Sequence, residues 1–278
     1  MPLSAPTPPT PSAAVPLLGS LKTLLLRGLL AGLIAGLLAA TVGYFVGEPK
    51  VDAAIAIEEA GSAPADHPHG AEPEATGGHS HGDEEEPLVS RTGQKAGQFL
   101  ALGLAGLALG AIYASVAHFA RRYTTLSGPK LALALGIGGW AAIVAVPFFK
   151  YPANPPAVGD PDTINERTLL WVAAVLLGLA AVGAGGYVYK LLRAQLSMLR
   201  LIAGIAAFVL VTTVGYLLLP GVNEVKADFP ASLLWEFRVA SLAETATLWA
   251  CLALGFAALT EFATRTDTPV RESIATAD

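Results

Sequence analysis

The sequence predicts an all-α integral membrane protein, a bundle of about six transmembrane helices with both termini cytoplasmic. Three observations predict it: an apolar composition, a series of apolar segments long enough to cross a bilayer, and a charge bias in the segments between them. Of the 278 residues, 53% are hydrophobic and 14% are charged, whereas a soluble domain carries about 25% charged residues. The mean hydropathy of +0.55 is lowered by a Pro-rich N-terminus, a polar loop and a polar C-terminus that separate much more apolar blocks.

Residues 1–20 combine prolines with small residues and read as a flexible tail, because such a composition cannot bury enough surface to fold. Lys22 and Arg27 then precede an apolar run at 28–46. The order of basic flank and hydrophobic centre resembles a signal peptide, but the run is long and no small-x-small cleavage site follows, so it reads as a retained first helix. Further apolar segments at 99–120, 131–149, 168–189, 201–219 and 239–262 each approach the ~20 residues that cross ~30 Å of hydrocarbon at about 1.5 Å per residue. Backbone polar groups cannot stay unpaired in lipid, so these segments must be helices or strands of a closed barrel. Barrel strands would be half as long and alternate in polarity, which these do not. The membrane domain is thus expected over 21–264, with a polar tail at 265–278.

Orientation follows from the connections. Those carrying Arg121, Arg122 and Lys130, and Lys190, Arg193 and Arg200, are basic without acids and are expected in the cytoplasm. The loop at 48–95 is strongly acidic, and the connections at 150–167 and 220–238 mix acids with bases, which places all three outside. Lys22, Arg27, Arg265 and Arg271 then fall on the cytoplasmic side, as the rule requires.

Residues able to carry chemistry gather in those outer segments. The 48–95 loop holds His67, His69, His79 and His81 as two His-x-His pairs, followed by Asp83, Glu84, Glu85 and Glu86. In an extended chain, residues i and i+2 point the same way, so each pair can offer two imidazoles to one cation, with carboxylates adding hard oxygen ligands. That donor set suits divalent Co, Ni or Zn better than Cu(I). The competing reading is a solvated spacer, since Gly, Pro, Ala and acids dominate the loop.

In the connection PFFKYPANPPAVGDPDTINERTLLW, closely spaced prolines impose a non-helical path, and Asp160, Asp162, Asn165 and Glu166 offer oxygens at the mouth of the fourth helix. Either these residues line a substrate route, or Asp162 or Thr163 caps the helix. Further on, Trp235 and Phe237 read as headgroup-level anchors. Glu244 lies about two turns inside the sixth helix, where an ionisable group is costly and faces a bundle interior. It is read as functional, as one half of a buried pair with Arg238, or as an interfacial residue. Among the remaining candidates, His118 reads as interfacial and Cys251 as a small core residue. Gly28, Gly32 and Gly36 in the first helix, and Gly106 and Gly110 in the second, stand four apart, as close helix packing in lipid requires, within one bundle or between copies of the chain. One cysteine permits no disulfide or Cys-based metal site within the chain. No phosphate-binding loop, nucleophile elbow, HExxH or haem motif is present and no basic patch invites nucleic acid, so neither an enzyme nor a nucleic-acid partner is expected.

The segments KYPANPPAVGDPDTINERT (150–168) and NEVKADFPASLLWEFR (223–238), together with the His-rich loop, resemble the CbtA-type cobalt transporter subunits, with KYPANPPAVG the most specific stretch. The resemblance extends from the first helix onward. It implies transported Co2+ rather than a permanently bound cofactor, a link to cobalamin biosynthesis, and a small single-helix, His-containing CbtB-type partner. It also implies a multi-pass protein of the bacterial cytoplasmic membrane, in contact with the lipid bilayer. That family is usually described with five spanning segments, one fewer than counted here. On this reading the outer His and acid residues collect the cation, and Asp160, Asp162, Glu166 and Glu244 form its entry. The alternative is a non-transporting scaffold or regulatory subunit of a larger complex.

Overall fold

A computed structural model describes residues 16–62 and 89–275, with side chains described at 16–61 and 89–262. The histidines and acids at 67–86 therefore lie outside the described residues. Six helices are long and apolar enough to cross a membrane: α1 (Leu21–Gly61), α2 (Arg91–Tyr123), α3 (Gly128–Lys150), α4 (Pro161–Leu191), α5 (Ser197–Leu218) and α6 (Ala231–Phe262). No strand occurs among the described residues. Large apolar side chains, including Ile137, Leu169, Leu210 and Leu217, stand exposed around the outside. Water would not tolerate so continuous an apolar surface, whereas lipid requires it.

Every helix begins earlier than its apolar run, and several end later. Hydropathy registers only the stretch inside hydrocarbon, whereas a helix continues into water wherever caps and ion pairs support it. α1 starts at Leu21 because the Ser20 hydroxyl accepts from the Thr23 amide at 3.2 Å, and it extends through Glu48–Ser62 beyond its apolar part. The first fifteen residues of the expected loop at 48–95 are therefore helical. The end of the expected N-terminal tail is also held in place. Leu17 is buried against Gly128, and Arg121 donates to the carbonyls of Leu17 and Gly19 at 3.2 and 2.8 Å. The α6 backbone stays helical to Ala275.

Two π-helical turns interrupt these helices, Gly43–Gly47 in α1 and Ala141–Ala145 in α3. Each ends two residues before a proline, Pro49 or Pro147. A proline ring clashes with the carbonyl four residues earlier and donates no hydrogen bond, and a wider turn relieves the clash without breaking the helix.

Packing runs as a row: α2 on α1, α1 on α6, α6 on α3, α3 on α4 and α4 on α5. The α1–α2 contact is made of glycines. A Cβ at Gly32 would strike the Gly106 carbonyl, one at Gly28 the Gly110 carbonyl, and one at Gly36 the Leu102 carbonyl. Backbone therefore lies directly on backbone, the approach that gives association in lipid its van der Waals energy. The main core joins Leu24 and Ala31 of α1, Tyr113 of α2, Leu131 of α3, and Leu252 and Phe256 of α6, with Cys251 packed at its edge. A smaller cluster, Ala54, Val158, Phe229 and Leu234, docks the extension of α1 onto the connections at one end of the bundle.

Candidate functional site

The up-and-down topology brings the end of α1, the start of α2, the end of α3, the start of α4, the end of α5 and the start of α6 to one polar end. Arg121, Arg122, Lys130, Lys190, Arg193 and Arg200 belong to the opposite end. At the polar end, residues four apart on α1 and α2 form a ladder. Arg91 pairs with Glu48 and donates to Asp52 at 2.8 Å, and Lys95 reaches Asp52 at 2.7 Å. Lys50 pairs with Glu236, which ties α1 to α6.

Just inside this ladder, Glu244 lines a cavity of about 110 Å³ with Glu48, Gln98, Ser241 and Gly43. Gly43 opens the first π turn, and any side chain there would collide with the Gln98 amide and the Glu244 carboxylate. The missing Cβ is what lets these two groups meet. The Gln98 Oε1 atom is buried without a hydrogen-bond partner. Among the described residues no cation pairs with Glu244 and no donor bonds to it; Arg238 is engaged elsewhere. The cavity therefore presents the carboxylates of Glu244 and Glu48, hard oxygen donors suited to a cation, beside the Gln98 amide.

On the other side of α6 lies a cleft of about 640 Å³, walled by the ends of α3, α4 and α6 and by the connections after α3 and α5. Arg238 enters it from α6, donating to the Ala153 carbonyl at 3.3 Å and to Asn154 Oδ1 at 2.9 Å. Tyr151 donates to the Pro220 carbonyl at 2.8 Å, and Lys150 to the Tyr216 carbonyl at 2.9 Å. The polar residues of the KYPAN stretch are thus the ties that join α3, α5 and α6. Burial raises the Tyr151 phenol above its usual range.

Glu224 closes the rim. It accepts from the Thr163 hydroxyl at 2.5 Å and the Asp160 amide at 3.1 Å, and it pairs with Arg167 at 3.2 Å. Chiefly through the Thr163 hydrogen bond, and with help from Asp160 N–H and Arg167, these contacts hold its carboxyl below the usual carboxylate range. A second cavity of about 500 Å³ adjoins the first across Val158 and Arg167 and reaches Ile57 and Gly61.

The structure brings Glu244 together with Glu48 and Gln98, both missed in the sequence. Glu48 follows two glycines four apart and precedes a proline, and Gln98 opens an apolar run; those were the available signals. Asp160, Asp162 and Glu166 are exposed around the start of α4 and do not converge with Glu244. Asp160 caps the 3₁₀ turn by accepting from the Asp162 amide at 2.9 Å, and Thr163, one of the two expected caps, is the N-cap residue of the α-helical part without a side-chain hydrogen bond to it. No group of three or more His, Cys, Asp or Glu residues able to hold a metal occurs among the described residues. His67, His69, His79, His81, Asp83 and Glu84 lie outside them. His118 is half-buried beside Phe119, with Nδ1 unpaired.

Six apolar helices around polar groups gathered at one end define a multi-pass membrane protein. The family model for the probable cobalt transporter subunit (CbtA) matches residues 21–261, and the chain belongs to that family. Family membership points to a cobalt transporter subunit and to a non-enzymatic role. No curated protein and no solved structure gives a match.

Proposed function

We propose that this protein is the membrane subunit of a divalent-metal transporter whose cargo is Co2+, and that Glu244 lies on the cation's path. The observation that carries the proposal is Glu244 itself: a carboxylate inside a membrane helix, beside a second carboxylate and the Gln98 amide, with no cation bonded to it among the described residues. An unpaired carboxylate in hydrocarbon costs about 2–3 kcal/mol, and a passing cation would offset that cost. The basic connections at the opposite end support a cytoplasmic position for that end and for both termini, with the polar end outside. In this reading His67, His69, His79 and His81, with Asp83 and Glu84, collect the cation. Asp160, Asp162 and Glu166 offer exposed carboxylates at the rim. No cofactor is held permanently, and a small single-helix His-containing CbtB-type protein is the partner in the bacterial cytoplasmic membrane. Supply of cobalt to cobalamin biosynthesis is the matching physiological role.

The test is Co2+ accumulation in cells with and without the gene, alone and together with a single-helix partner. Accumulation that requires this chain supports transport. Equal accumulation in every arm would leave the scaffold reading. Orientation is checked separately: Ser62→Cys should react with a membrane-impermeant thiol reagent from outside, and Ser127→Cys should not.

A further inference from the structure

The 640 Å³ cleft is built for the opposite charge from the Glu244 cavity. Its charged lining residues are Arg167, Glu224 and Arg238. Glu224 is consumed, since one oxygen accepts from Thr163 and the other from the Asp160 amide and Arg167. Arg238 has no acidic partner among the described residues; its Nε and Nη2 are spent on two neutral oxygens, which leaves Nη1 free. Arg167 Nε is buried with no acceptor at all. The cleft therefore carries one uncompensated positive charge and one unengaged nitrogen, Arg238 Nη1, flanked by the neutral polar groups of Asn223 and Thr245. A bare divalent cation would be repelled there, whereas a carboxylate could accept a charge-assisted hydrogen bond from Arg238 Nη1.

We propose that this cleft is a binding site for a small soluble organic anion bearing carboxylates, separate from the cation path at Glu244. The aqueous side supplies it, because Asn154 and Asn223 belong to the connections at the polar end and not to the lipid-facing helices. The site stands independently of the transport reading, since its groups do not overlap those around Glu244 except at Ser241.

Citrate is the probe, titrated calorimetrically into the full chain in neutral-lipid nanodiscs. Saturable binding is expected. It should weaken at least tenfold in Arg238→Gln and in Thr168→Trp, which fills the cleft from an exposed position and keeps every tie made by Arg238. Arg238→Lys should retain part of the affinity, and Glu244→Gln all of it. Thr168→Trp keeps the test decisive should Arg238→Gln prove unstable. Absent citrate binding overturns the proposal, as does binding indifferent to Thr168→Trp. Displacement of citrate, in the same neutral nanodiscs, by lower concentrations of soluble glycerophosphoglycerol, the headgroup of phosphatidylglycerol, also overturns it, since the site would then belong to a lipid phosphate.

Discussion

Arg238 and Glu244 stand six residues apart on α6 and do not pair. At 100° per residue their side chains leave the helix about 120° apart. Arg238 faces the cleft and binds Ala153 and Asn154, while Glu244 faces Glu48 and Gln98. Each is the charge that its own surroundings leave over. Glu48 and Asp52 are matched by Arg91 and Lys95, and Arg167 by Glu224. One helix thus separates an acidic cavity from a basic cleft.

That separation sets the outcome for Glu244→Gln. Because no guanidinium depends on Glu244, removing its charge leaves no orphaned cation, and a neutral amide is easier to bury. Membrane abundance and thermal stability should stay near wild type while Co2+ uptake falls at least tenfold. A parallel loss of abundance, stability and uptake would make Glu244 a structural residue.

The glycine contact yields a prediction about assembly. Gly32→Leu would drive a side chain into the Gly106 carbonyl and separate α1 from α2. It should lower abundance and melting temperature sharply, since overpacking of this kind costs about 1–3 kcal/mol or more. Gly186→Leu, with nothing within 4 Å of its Cβ position, should be silent. Comparable melting curves for the two variants would refute the packing account.

Both outcomes bear on how much could be read in one dimension. The six spans and the small-residue contact were legible, because hydrocarbon demands apolar residues at helical length and close approach demands glycine. Helix ends were not, since Ser20 as a cap and the Glu48–Arg91 pair act where hydropathy is silent. The Arg238–Asn154 tie joins residues 84 apart in sequence, so spacing could not announce it, and proximity to Glu244 suggested the wrong partner. Of the two π turns, the one before Pro147 had a local signal, a proline inside an apolar run, whereas Pro49 stood in the segment expected as a loop.

The histidine pairs carry their own test. If His67, His69, His79 and His81 collect metal ahead of the pore, changing all four to alanine should raise the external Co2+ concentration needed for half-maximal uptake. The maximal rate should change little, because collection precedes translocation. An unchanged concentration dependence would make the segment a spacer.

Glu224 gives a pH dependence with a defined sign. Its carboxylate accepts from Thr163, Asp160 and Arg167, and all three favour the charged form, so its folded pKa lies below the ordinary 4.5. The folded state therefore binds this proton less readily than the unfolded chain does. Its stabilising contribution is fully present above pH 4.5 and is lost as pH falls through the depressed folded value. Glu224→Gln removes the charge but keeps the length of the side chain. The variant should melt below wild type at pH 7, and the gap should stay constant down to about pH 5 and then close on further acidification. Because Glu224 joins the start of α4 to the connection after α5, the same variant should also expose the Asp160 amide to faster hydrogen exchange. A gap between the two melting temperatures that is independent of pH from 7 to 3 would show that Glu224 acts through packing and not through charge.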